Sequence, residues 1–146
     1  MKRILKFRSS KKHYHADVGV VWCMDKRFRR LLAAFLKSEK LKNPDEVKVA
    51  GGIKAVASPN GNAEKLVLLR QVAASMKLHK TPQFVIMTHQ DCGGYGGSAA
   101  FSGDQTKERR FHEQQLRRAK RNIKRKFPYL RVRAVYADFD GLSEVS

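Results

Sequence analysis

Four short apolar segments recur along the chain, and each is predicted to form a β-strand. They cover residues 18–22, 47–50, 84–87 and 132–136. The first and third are almost continuously apolar, which is typical of strands covered on both faces of a sheet. Lys48 and Arg133 interrupt the second and fourth, which favours positions nearer an edge of the sheet.

Three amphipathic helical patterns lie between these strands. Apolar residues recur at helical spacing over residues 28–36, 66–76 and 112–127. Asn60 or Asn62 can cap the second helix, and Pro128 is predicted to end the third. Strands and helices therefore alternate, which predicts a single α/β domain with a mainly parallel sheet of about four strands, in the order 2-1-3-4.

The composition favours one folded domain preceded by a basic arm. A chain of 146 residues with 42% hydrophobic residues is long and apolar enough to bury one core. We predict a basic N-terminal arm over residues 1–16 and a folded domain over residues 17–146. The apolar runs are too short for a membrane span, and a cleaved signal peptide is not expected. With only two cysteines, the protein is expected in a reducing cytoplasm.

The charge of the chain adds a second functional hypothesis. The 31 Lys and Arg residues against 13 Asp and Glu residues give a net charge of +18. Such a charge attracts nucleic acid, phosphate, bicarbonate or an acidic membrane surface. Basic residues concentrate in the third helix, over residues 107–126. A non-catalytic domain that binds nucleic acid through this helix is therefore an alternative function, against the simpler interpretation of a solvated helix face.

Three possible metal ligands stand at the ends of two predicted strands. Cys23 follows the first strand, and His89 and Cys92 follow the third. In the order 2-1-3-4 these strands are neighbours, and functional groups gather where the strand order reverses. Two thiolates and an imidazole suit Zn²⁺ and leave a fourth position for water. The alternatives are two buried free thiols with a core histidine, or a disulfide, which a reducing compartment disfavours.

Asp25 and Arg27 extend this group of residues. The carboxylate of Asp25 can reach the open metal position, whereas Arg27 can instead hold it in a bidentate pair. The simpler interpretations are a helix N-cap for Asp25 and a solvated charge for Arg27. The glycine-rich residues 93–98 follow Cys92, and we expect them to fold tightly around the metal rather than to bind an anion.

Three segments of the chain resemble features of the β-class carbonic anhydrases. Cys23-Met24-Asp25-Lys26-Arg27 is similar to C-x-D-x-R, His89-Gln90-Asp91-Cys92-Gly93 to H-x-x-C-G, and Ala50-Gly51-Gly52 to the Ala-Gly turn of that family. The resemblance implies a zinc lyase that interconverts CO₂ and bicarbonate through a zinc-bound hydroxide. It implies Cys23, His89 and Cys92 as zinc ligands. Asp25 then either binds zinc and closes the site or pairs with Arg27 and leaves room for water.

The resemblance also bears on assembly and on the substrate. It implies at least a homodimer, because active sites of that family form at a subunit interface. The family's N-terminal extension, which supplies a glutamine and an aromatic residue to the substrate pocket, has no matching motif here. Related enzymes on this scaffold hydrolyse carbonyl sulfide or carbon disulfide, so such a zinc hydrolase is a further alternative. Candidate proton shuttles, by residue type alone, are His13, His15, His79 and His112.

Overall fold

Five strands form one sheet in the computed structural model of the protein, which describes residues 1–60 and 62–146. The strands are β1 (Val18–Cys23), β2 (Pro44–Val49), β3 (Gln83–His89), β4 (Arg131–Ala137) and β5 (Leu142–Val145). Their order is β2-β1-β3-β4-β5, with the first four parallel and β5 antiparallel to β4. The predicted parallel order 2-1-3-4 is therefore confirmed, and β5 adds a strand that was not predicted.

Four helices cover the two faces of this sheet. They are α1 (Arg29–Ser38), α2 (Lys54–Ala57), α3 (Ala63–His79) and α4 (Gln105–Lys126). The apolar side chains of α1 pack with those of β1 and β3 on one face. The other three helices share a second core cluster on the opposite face. The predicted helices are present with longer ends, whereas α2 is a single turn and too short to show a periodicity.

Burial along the strands follows their place in the sheet. Every residue of β1 is buried, as the nearly continuous apolar run predicts, and β2 forms one edge. The fourth strand lies near the other edge, but not at the edge itself as in a sheet of four strands, because β5 pairs with its outer side. The charge of Arg133 is tolerated there because its guanidinium forms ion pairs with Glu39 and with Glu144 of β5.

Contacts at the amino ends of the strands hold the segment that leads into β1. The Tyr14 hydroxyl donates to Asp45 Oδ1 at 2.7 Å, and the backbone N–H of Ala16 donates to the carbonyl of His79 at 2.9 Å. Residues 1–15, all of them described, form no helix or strand and lie exposed. His79 pairs with Asp45 here, at the end of the sheet opposite to Cys23, which removes it from the candidate proton shuttles.

Single residues in the sequence mark the start of α3 and the end of α4. Asn62, rather than Asn60, caps α3, and its Oδ1 accepts a hydrogen bond of 2.7 Å from the backbone N–H of Lys65. As predicted, Pro128 stands just beyond the end of α4. In the described ranges of the chain, no helix is both long and apolar enough to cross a membrane.

Candidate metal centre

Cys23, His89 and Cys92 meet at the carboxyl edge of the sheet. Cys23 is the last residue of β1 and His89 the last residue of β3, rather than the residues after them. Because these parallel strands are neighbours, their ends lie side by side, and Cys92 joins them from the following loop. The three ligand atoms lie within 4.8 Å of one another, and all three residues are buried.

The imidazole of His89 is oriented to bind through Nε2. Its Nδ1 lies 2.7 Å from the carbonyl oxygen of Gln90, to which it donates a hydrogen bond. The proton therefore stands on Nδ1, which leaves a lone pair on Nε2. Nε2 is buried and has no hydrogen-bond partner within residues 1–60 and 62–146. An unpaired buried acceptor is costly, and a metal ion satisfies it.

The spacing of the two sulfur atoms fits a tetrahedral metal ion. Cys23 Sγ and Cys92 Sγ are 3.8 Å apart, which is far beyond a disulfide bond, and both thiols are free. Two thiolates at about 2.3 Å from a tetrahedral zinc ion lie about 3.8 Å from each other. The Cys92 thiol lowers the pKa of Cys23, and the same contact together with burial raises the pKa of Cys92. If both sulfurs were ionised they would repel each other, and a divalent cation between them would neutralise that repulsion.

Backbone N–H groups surround the two sulfurs. Those of Asp25 and Gly51 act to lower the pKa of Cys23, and those of Gly94 and Tyr95 act to lower that of Cys92. The turn after β2 and the loop after Cys92 pack directly on each other, since a Cβ on Gly94 would lie 2.5 Å from the Cα of Gly51. Tight folding of the glycine-rich loop against this cluster is what the sequence predicts.

Asp25 and Arg27 form a close ion pair beside the cluster. Arg27 Nε donates to both carboxylate oxygens of Asp25, at 3.1 and 3.0 Å, and Nη2 donates to Oδ2 at 2.7 Å. Asp25 Oδ1 also accepts the backbone N–H of Arg27, so the carboxylate caps the short 3₁₀ turn Lys26–Phe28 as well. The guanidinium lowers the pKa of Asp25. In this arrangement Asp25 pairs with Arg27 through both of its carboxylate oxygens.

Asp91 and Glu108 complete this network and were missed in the sequence. Arg27 Nη1 donates to Asp91 Oδ2 at 2.9 Å, and Nη2 donates to the Asp91 carbonyl at 3.0 Å. The buried Glu108 of α4 accepts from the Asp91 N–H at 2.6 Å and from Ser98 Oγ at 2.8 Å. Glu108 lies one turn before His112 on the apolar stripe of α4. A charged residue on the buried face of a helix was the signal in the sequence that could have revealed it.

Two residues outside the metal cluster are packed in the interior. His112 is fully buried against Tyr95 and Tyr136, and burial lowers its pKa to about 4. It cannot exchange protons directly with solvent, so it is not a shuttle in this arrangement. Trp22, next to Cys23 in the sequence, is also buried in the core.

Fold and site together define a mainly parallel α/β protein with a possible metal centre at the point where its strand order reverses. The family described as "Putative carbonic anhydrase" matches residues 14–145. The chain therefore belongs to this carbonic anhydrase family. An uncharacterized protein of Rickettsia bellii is 27% identical over 150 residues, which cover 98% of this chain and 92% of that protein.

Solved structures of low sequence identity share the fold. A carbonic anhydrase of Streptococcus mutans has a TM-score of 0.61 and 18% identity, covering 92% of this chain and 84% of that one. The β-carbonic anhydrase isoform I of Trichomonas vaginalis has a TM-score of 0.60 and 13% identity, with 96% and 87% covered. A carbon disulfide hydrolase in its apo form has a TM-score of 0.57 and 12% identity, with 91% and 81% covered.

Proposed function

We propose that this protein is a zinc-dependent lyase that reversibly hydrates CO₂ to bicarbonate, with Cys23, His89 and Cys92 as the zinc ligands. One observation carries the proposal: three buried ligand atoms lie within 4.8 Å at the carboxyl edge of the sheet. Family membership supports the reaction, and the orphaned Nε2 of His89 together with the sulfur spacing of 3.8 Å supports the metal.

Zn²⁺, when bound, supplies a Lewis acid that lowers the pKa of water toward about 7 and so provides a nucleophile at neutral pH. The protein's part is to hold the ligands and to orient the reactants. Asp25 accepts a hydrogen bond from the attacking water and thereby directs its lone pair toward CO₂. Arg27 lowers the pKa of Asp25 and keeps it ionised for that role.

Arg27 also decides where Asp25 lies. In the paired arrangement the guanidinium engages both carboxylate oxygens, which leaves the fourth position of the metal to water. In a closed arrangement Asp25 itself would hold the metal. Asp91 anchors Arg27 through two further hydrogen bonds, at 2.9 and 3.0 Å, so the guanidinium is held in place independently of Asp25. These contacts favour the open arrangement.

Hydrolysis of carbonyl sulfide or carbon disulfide is the second candidate, since a carbon disulfide hydrolase shares the fold. Turnover of all three substrates by the zinc-loaded protein separates the two functions. We expect CO₂ hydration above the uncatalysed rate, abolished together with zinc binding by Cys92→Ser. Thr88→Val, a change of similar size at a neighbouring buried position, is the matched control and should retain both. Turnover of a sulfur compound alone would favour the second candidate, and no turnover of any substrate would overturn the proposal.

We further propose that the protein acts as at least a homodimer in a reducing, cytoplasmic compartment. An apolar groove of about 380 Å³ opens beside the turn after β2, lined by residues that include Ala50, Gly52 and Val67. Val67 is exposed in this groove, and a second subunit would cover it. Thiolate ligation requires Cys23 and Cys92 to be reduced. A monomer in light scattering at micromolar concentration would contradict the dimer.

A further inference from the structure

The outward face of α4 carries a row of cations, with Gln114 between its two parts, that the metal centre does not use. The buried residues of α4, such as His112 and Leu116, define the face toward the sheet. The opposite face carries five exposed basic side chains, which we call the α4 strip: Lys107, Arg110, Arg118, Arg121 and Arg125. At 1.5 Å per residue this strip is about 27 Å long.

The cations of the α4 strip are not neutralised by the protein itself. Across the part of the chain that the structure describes, the ion pairs of α4 are formed by Arg109 and Arg117. Glu113 and Asp138, which pair with those arginines, lie to one side of the strip. A row of uncompensated charges repels itself, so it is suited to a partner that supplies regularly spaced negative charge.

An aromatic platform and a groove adjoin the carboxyl end of the strip. Tyr129 is fully exposed in the turn that follows α4. Lys124 holds this turn against the helix end, since its Nζ donates to the carbonyls of Pro128 and Leu130. A groove of about 290 Å³ runs between α3 and α4 beside Arg125 and Lys126. An exposed ring next to a basic track is the arrangement on which unpaired bases stack.

We propose that the α4 strip and Tyr129 bind single-stranded nucleic acid, with phosphates along the strip and a base stacked on the tyrosine ring. Charge complementarity supports the polyanion, and Tyr129 supports a strand whose bases are unpaired. An anionic membrane fits less well, because the apolar face of α4 is already buried in the core and cannot insert into lipid. This binding is separate from the metal centre and does not depend on its reaction.

Fluorescence anisotropy of short labelled oligonucleotides, titrated at several salt concentrations, tests the strip. Arg118→Gln with Arg125→Gln removes two strip charges seven residues apart. Arg30→Gln with Lys37→Gln is the matched control, because it removes two exposed charges at the same spacing from α1, across the sheet. We expect the strip variant to bind at least tenfold more weakly and its salt slope to fall by about 1.4. Equal losses in both variants would overturn the proposal.

Substitutions at Tyr129 test the stacking. Tyr129→Ala is expected to weaken single-strand binding by at least about fivefold, whereas Tyr129→Phe keeps the ring and should bind like the wild type. Duplex of the same sequence and vesicles of anionic lipid are the competing ligands. Tighter binding of either one, or an unchanged affinity in Tyr129→Ala, would overturn the assignment to single strands. Zinc content of each variant, expected to match the wild type, reports that the fold is retained.

Discussion

Gly93 and Gly94, which are adjacent in the loop after Cys92, offer a sharp test of how the metal centre is built. A Cβ added at Gly94 would lie 2.5 Å from both the Cα and the N of Gly51, and 3.2 Å from the carbonyl carbon of Ala50. All three atoms are backbone, so no side chain can rotate away. At Gly93 a Cβ would meet nothing within 4 Å. Gly94→Ala therefore forces the loop after Cys92 and the turn after β2 apart, and Gly93→Ala does not.

The contact must lengthen by about 1 Å or more to reach an ordinary carbon–carbon separation. Overpacking of this kind costs about 1–3 kcal/mol, which corresponds to a melting temperature lower by about 3–10 °C in a chain of this size. Unfolding can be followed through the fluorescence of Trp22, the one tryptophan in the sequence. Zinc affinity, measured against a chelator, should fall in the same variant because metal binding and folding are coupled.

Gly93→Ala serves as the matched control, and we expect it to melt and bind zinc within experimental error of the wild type. If Gly94→Ala is as stable as Gly93→Ala and binds zinc equally well, the two segments do not pack as described. The account of the loop as a tight backbone cradle for the sulfurs would then be wrong.

Substitutions at three further positions test the surrounding network and the electrostatics. Glu108→Ala removes the two hydrogen bonds that Glu108 accepts from Asp91 and Ser98 and should lower the free energy of unfolding by about 3 kcal/mol or more. Glu108→Gln, which is isosteric, should cost less in the same urea titration. Arg27→Ala should retain zinc but hydrate CO₂ more slowly, because it frees Asp25 to occupy the metal, whereas wild-type rates at every pH would refute that role. Burial, which raises the pKa of Asp45, is outweighed by hydrogen bonds that lower it. The stability contributed by the Asp45 carboxylate is therefore complete above its ordinary pKa of about 4 and is lost as the pH falls through the lowered value. The difference in unfolding free energy between wild type and Asp45→Asn should shrink in acid, and a constant difference would contradict this.

The sheet was predictable because its strongest signals are local. The nearly continuous apolar runs of β1 and β3 indicate central strands, and Cys23 and His89 mark the ends where those strands meet. The short strand β5 escaped prediction because four residues, Leu142–Val145, carry too little pattern. Its partner β4 was consequently placed at the edge, and the ion pair of Arg133 with Glu144 was visible only in three dimensions.

The residues of the candidate site that stand at or just after strand ends could be predicted from the sequence. Asp25 and Arg27 were recognised by their spacing from Cys23, but the contacts of Arg27 with Asp91 depend on a backbone that turns back on itself. Asp91 has φ of +52°, and Glu108 reaches it from α4, 17 residues further along the chain. Interactions of this kind depend on how a helix packs beside a loop, which no local pattern in the sequence encodes.

Zinc X-ray absorption of the protein, purified without added metal, tests the central claim most directly. The account predicts about one zinc ion per chain with two sulfur neighbours at about 2.3 Å and nitrogen or oxygen neighbours at about 2.0–2.1 Å. It also predicts that Cys92→Ser loses this signal. Protein without zinc, or zinc with no sulfur neighbours, would contradict the assignment of Cys23, His89 and Cys92 as the metal centre.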